Sequence, residues 1–133
     1  MGKMVDLSKF SVKELSNEGV AFRLVDDFGI IVDAGDEVPI DFVVYGADAK
    51  KISKARATYN AVLEIKNVKA HKKEAASMVF IGACVRSWSD FMYAGEVVKD
   101  GDVNALTVFL EDCPMFRDQI IEFVFARDNF LAS

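Results

Sequence analysis

Reactive chemistry in this chain would have to come from a short roster of side chains. The one histidine, His71, stands among Lys69, Lys72 and Lys73, neighbours that suit a solvated helix start better than a metal site, which needs several converging ligands. Cys84 and Cys113 form no CxxC pair and read as reduced, buried thiols. Carboxylates are plentiful, at Asp26/Asp27, Asp33/Asp36/Glu37 and Glu111/Asp112. Paired carboxylates can divide general-acid and general-base work when their surroundings push their pKa values apart. Each of these groups, however, falls at a turn or a helix start, where capping backbone N–H groups is reason enough for it. The stretch DAGDE lacks the spacing of a calcium-binding EF-hand loop, and no nucleophile elbow, GxGxxG or GxxxxGK[ST] occurs. The expectation is a protein that is not an enzyme, with no catalytic residues, no metal and no cofactor.

The elements that hold these residues are legible from periodicity. At 133 residues and 52% hydrophobic content, the chain is expected to form a single domain with a sizeable core. Residues 1–18 are expected to be flexible. From 19 to 46 the composition is β-branched and aromatic: Val20, Phe22 and Leu24 alternate with Ala21 and Arg23, and Ile40, Phe42 and Val44 with Asp41 and Val43. That period of two predicts two to three short antiparallel strands within about 20–45, with turns at Asp27-Phe28-Gly29 and Ala34-Gly35-Asp36. From 47 to 131 the period becomes helical and about four helices are expected. Ile52, Ala55, Tyr59, Val62 and Lys66 define one over 48–67. The apolar run through Met78, Val79, Cys84, Val85 and Trp88 predicts another from His71 to Phe91, with Gly82 admitting a close backbone neighbour. Asp102 should cap a short helix over 103–111. Asp112 should cap a last one that has Pro114 in its first turn. The fold class is α+β, mainly helical.

Net charge is −5, which argues against a nucleic-acid partner. One segment departs from that balance: residues 50–73 hold Lys50, Lys51, Lys54, Arg56, Lys66, Lys69, Lys72 and Lys73. Such a run reads as a solvated helix face or as contact with an acidic partner. The N-terminal stretch is too charged for a signal peptide, and the longest apolar run, Met78 to Val85, falls far short of the ~20 residues that span a bilayer. No membrane partner is expected, and a cytoplasmic location is.

What chemistry does not absorb is apolar side chains near the C-terminus. The last helix carries Phe116, Ile120, Phe123 and Val124 on one face, with Ile121, Phe125 and Phe130 outside it. That is wider than one core contact needs, so these seven residues are the candidate protein-interaction surface. Trp88, the single tryptophan, is expected to be an internal structural anchor.

In this order the motifs resemble the tail assembly chaperones of long-tailed bacteriophages and prophages. The residues that carry the likeness are Asn17-Glu18-Gly19, the stretch VVYGADAKKISKARA, Trp88, Gly95, Val97-Val98, Asn104-Ala105, Glu111-Asp112-Cys113-Pro114, Asp118-Gln119-Ile120, Phe123, Ala126, Asp128 and Asn129-Phe130-Leu131. Ala49 stands where that family often has Ser, and Met92-Tyr93 is bulkier than its usual loop. The resemblance implies a non-catalytic protein that binds the tape measure protein and recruits tail tube subunits around it, and that is absent from the mature virion. It further implies self-association into spirals or rings in the cytoplasm of the infected or lysogenic bacterial host. The competing expectation is a structural minor tail protein, of terminator or connector type, retained in the virion.

Overall fold

The computed structural model describes residue 4 and residues 6–26, 28–33 and 39–131. Its regular elements are α1 (Lys13–Glu18), β1 (Val20–Arg23), β2 (Asp41–Val44), α2 (Ser53–Leu63), α3 (Ala70–Cys84), β3 (Val85–Trp88), β4 (Phe91–Tyr93), β5 (Glu96–Val98), α4 (Val103–Asp112) and α5 (Pro114–Phe125). Short 3₁₀ turns cover Ser8–Phe10, Lys50–Ile52 and Arg127–Phe130. The protein is mixed α+β and mainly helical, with an antiparallel three-stranded sheet in the order β1-β2-β3.

Alternation in the first half is realised as expected: β2 buries Phe42 and Val44 and leaves Asp41 and Val43 half-covered. β1 pairs with it from Val20↔Val44 to Arg23↔Asp41. Pro39 lies in an isolated bridge with Asp33, at the approach to β2, and Gly29 turns the chain with φ of 76°. The turn expected at Ala34-Gly35-Asp36 lies outside the described residues.

The third strand comes from elsewhere. The helix expected to run from His71 to Phe91 stops at Cys84, and the next four residues form β3 against β2, with Phe42 opposite Trp88 and a bulge between Val43 and Val44. A continuous apolar run has no period that separates buried helix from buried strand. Here the free edge of β2 decides, and Val85-Arg86-Ser87-Trp88 supplies the alternation that an edge strand needs. β4 and β5 then form a hairpin whose two-residue loop places Ala94 (φ 50°) and Gly95 (φ 81°) in the left-handed region, as its tight turn demands. The β portion is thus not confined to residues 20–45.

Trp88 is buried, 6% exposed, stacked on Phe42 and donating from Nε1 to the Val98 carbonyl at 3.3 Å. Aromatic contacts lead from there in both directions. Phe42 touches Phe91 and Phe22, Phe91 meets Phe109, and Phe22 stacks on Phe123 at 4.6 Å between ring centres. Contacts of this kind contribute roughly 0.5–1.5 kcal/mol each beyond area burial.

Two expectations about residues 1–18 and Gly82 change. α1 docks: Ser16 is buried, and a Cβ on Gly46 would lie 2.9 Å from Ser16 Cβ, 3.0 Å from Phe130 Cγ and in collision with Ser16 Oγ. Gly46 is therefore the residue that lets α1 and the C-terminal turn meet. Gly82 admits no such approach, since its nearest distant neighbour is the Val103 side chain at an ordinary 3.8 Å.

Candidate functional site

Several of the chain's carboxylates hold the backbone. Asp26 accepts from the N–H groups of Phe28 and Ile30, and Asp102 caps α4 through Ala105 N at 3.1 Å. Asp100 accepts from Trp88 N, and Asp90 in turn from Asp100 N. Asp112 does not cap α5: the N-cap position is Cys113, which makes no side-chain cap bond, and Asp112 instead accepts from the Tyr93 hydroxyl at 2.8 Å. This bond holds the Tyr93 phenol in its neutral form and pushes its pKa up to about 12. Asp27, Asp36 and Glu37 lie outside the described residues.

Asp48 is held by two arginines. Arg127 reaches it with two N–H groups at 2.7 and 3.0 Å, and Arg56 with one at 3.2 Å. Arg127 foremost, then Arg56, holds the Asp48 carboxyl below the usual carboxylate range against the opposing effect of partial burial. The result ties the start of α2 to the C-terminal turn. Burial alone pushes the Cys84 thiol up to about 12, while Cys113 is half-buried and both cysteines are free thiols. His71 is exposed at the start of α3, in a recess shared with Glu74, Glu111 and Arg117.

Several residues of the family-like motifs also act as fasteners. Gln119 bonds both backbone groups of Val25, accepting from its N at 2.9 Å and donating to its O at 2.7 Å, so that α5 takes the place of a strand neighbour. Asn17 accepts from Lys50 N at the start of the 3₁₀ turn before α2, and Asn129 donates to the Phe123 carbonyl at the end of α5.

The seven C-terminal candidate residues do not form one surface. Ile120, Val124 and Phe130 are fully buried, and Phe116, Ile121 and Phe123 are half-covered against the core. Phe125 is exposed at 38%. The width of α5 that looked excessive is used from several sides: Phe116 stacks on Phe109 of α4, Phe123 on Phe22 of β1, and Phe130 folds back edge-on to Phe123. Their placement makes α5 a core helix, because sheet, α4 and C-terminal turn all converge on it.

Open apolar surface lies instead between α2 and α3. The connection at 64–69 brings α3 back along α2 and leaves a groove of about 690 Å³. Tyr59 and Phe80 form its floor as parallel rings 4.8 Å apart, backed by Phe125 at 5.4 Å from Phe80. Val62, Ile65, Val68 and Val79 stand along its walls, and Ala55, Ala75 and Ala76 keep it open. Val79 is 70% exposed although it sits in the most apolar stretch of the chain. Lys51, Lys54 and Lys72 line the same groove, and no carboxylate does. The sequence signal for this site is the helical stripe Ile52-Ala55-Tyr59-Val62 combined with the basic run at 50–73, which reads as a solvated face or as contact with an acidic partner.

No protein-family model, curated protein or solved structure matches this chain. Among the described residues, no helix is long and apolar enough to cross a membrane. The groove offers apolar area, an aromatic floor and positive charge, and its lining holds no carboxylate, histidine or cysteine.

Proposed function

We propose that this chain is a tail assembly chaperone of a long-tailed bacteriophage or prophage. In this reading it binds the tape measure protein in the cytoplasm of the bacterial host and shields its apolar segments. It promotes polymerisation of tail tube subunits around them, self-associates into spirals or rings, and leaves before the virion is complete. It acts by holding its partner and performs no catalysis.

The observation that carries the reading is the open groove between α2 and α3. Val79, Ile65 and Leu63 remain exposed on and beside it, and what sets them apart from other exposed apolar residues such as Phe28, Ile30, Met92 and Val108 is that they adjoin an apolar groove with an aromatic floor. Solvent-facing apolar patches rimmed by charge mark interaction sites in soluble proteins. The order of motifs from Asn17 to Leu131 supports the choice of family, and the engagement of the carboxylates in capping and pairing supports a binding role.

Co-expression with a tape measure protein from the same phage or prophage tests the reading. The expected result is a soluble tape measure protein that co-purifies with this chain, and a chain missing from purified particles by mass spectrometry. A tape measure protein equally insoluble with and without this chain would overturn the chaperone role. Stoichiometric presence in virions would replace it with a structural tail component.

A further inference from the structure

We infer that the α2–α3 groove seats an amphipathic helix whose apolar stripe is flanked by Asp or Glu. The inference rests on the reading above that the chain holds an apolar partner, and it states the chemistry of the segment held.

Three features of the groove define this occupant. The first is shape. The groove residues of α2 run from Lys54 to Val62 and those of α3 from Lys72 to Phe80, each roughly 12 Å at the 1.5 Å rise of a helix. Two packed helices with a crease of that length accept the ridge of a third over two to three turns. The second is hydrogen bonding. The groove residues at 53–63 and 70–84 belong to helices, whose backbone groups are already paired, so an extended peptide would find no ladder to join. A helix brings its own bonds with it and needs none from the groove.

The third is charge. Residues 50–73 contain eight basic side chains and a single acid, Glu64, in a chain of net charge −5. Of these, Lys51, Lys54 and Lys72 stand on the groove itself, at both of its ends; the Lys51 ammonium lies over the Tyr45 ring, 5.5 Å from its centre, and Lys54 and Lys72 are exposed. Lysines placed this way bury their methylenes on the apolar wall and present charge at the rim. A carboxylate on either flank of the docked helix then meets a lysine, while a lysine-flanked helix is repelled. Opposed charge fixes register and suppresses wrong partners more than it adds affinity.

The test uses the full chain and two fluorescein-labelled helical peptides with the same Leu/Ile stripe, one flanked by Glu and the other by Lys, followed by anisotropy. The Glu-flanked peptide should bind at least tenfold more tightly, lose that advantage as salt is raised, and fail to bind Val79→Asp. The triple variant Lys51→Glu/Lys54→Glu/Lys72→Glu should invert the preference. Equal binding of the two peptides, no binding of either, or a preference that survives the triple reversal overturns the inference. Binding of the chain to anionic vesicles but to neither peptide assigns the groove to a lipid surface instead. Loss of self-association in Val79→Asp, with neither peptide bound, assigns it to a second copy of the chain. Thermal melts of each variant confirm folding, and Val79 is exposed enough for the substitution to leave the fold intact. Failure of the two readings is separable. Peptide binding alongside an insoluble tape measure protein removes the chaperone role and keeps the groove. A tape measure protein solubilised equally by wild type and Val79→Asp keeps the chaperone role and removes the groove.

Discussion

The sheet–α5 side of the molecule and the α2–α3 side contain similar side chains used in opposite ways. Around α5, rings from four different elements close on one another: Phe22, Phe42, Phe109, Phe116 and Phe123 each have an aromatic neighbour supplied by another part of the chain. Between α2 and α3 the same ingredients stop short. Tyr59, Phe80 and Phe125 stack, but Val62 and Val68 beside them are only half-covered, Val79 is exposed, and lysines take the rim. Apolar content alone therefore does not distinguish core from interface; the number of elements that converge on it does.

That contrast breaks if the wrong side proves costly to alter. The largest effect should come from Trp88→Ala, which empties a buried site and removes the bond to Val98, at about 3–5 kcal/mol. Thermal or denaturant melts would read it, and a loss below ~1 kcal/mol would place Trp88 outside the core. Gly46→Ala should follow, since its Cβ has no room against Ser16 and Phe130. Overpacking of this kind costs roughly 1–3 kcal/mol, visible as a lower urea midpoint with unchanged slope. Gln119→Ala leaves both backbone groups of Val25 without their partner, for about 1–3 kcal/mol, and should speed amide exchange at Val25.

Asp48→Asn sharpens the comparison through pH. Because the folded Asp48 carboxyl titrates below its unfolded counterpart, its contribution is full above the ordinary carboxylate pKa of about 4 and is lost as pH falls through the lower folded value. Wild type should exceed the variant by about 1 kcal/mol at neutral pH, a modest figure for a largely solvent-screened pair, and the two should converge in strong acid. Parallel curves across the acid range would remove Asp48 as the source. Val79→Asp should be the mildest, within about 0.5 kcal/mol of wild type in stability, yet should abolish capture of an apolar partner. A large loss of stability there would mean that the groove belongs to the core after all.

How much of this was legible beforehand differs by element. Alternation at 40–44, the Asp102 cap and Pro114 in the first turn of α5 are local signals, and local physics realises them. The strand at 85–88 was not legible, because Met78 to Val85 carries no period and the deciding factor, the open edge of β2, lies some forty residues away. The candidate surface on α5 was misjudged for a related reason. A helix wheel shows how wide an apolar face is, but not that Phe22, Phe109 and Phe130 will arrive to cover it. Conversely, the helical spacing of Val62 and the apolar run through Val79 do not reveal which of these side chains stays open, because nothing in a sequence says that a partner element is missing.

The burial of Cys84 has a practical consequence. Alkylating reagents attack the thiolate, and a thiol pushed up to about 12 behind the sheet offers almost none at neutral pH. Cys113, half-buried at the α4–α5 junction, is within easier reach. A pulse of iodoacetamide should thus modify Cys113 in the native state and Cys84 only when the molecule opens. The second adduct becomes a clock for global opening, kept by the protein itself and readable by mass with no engineered label.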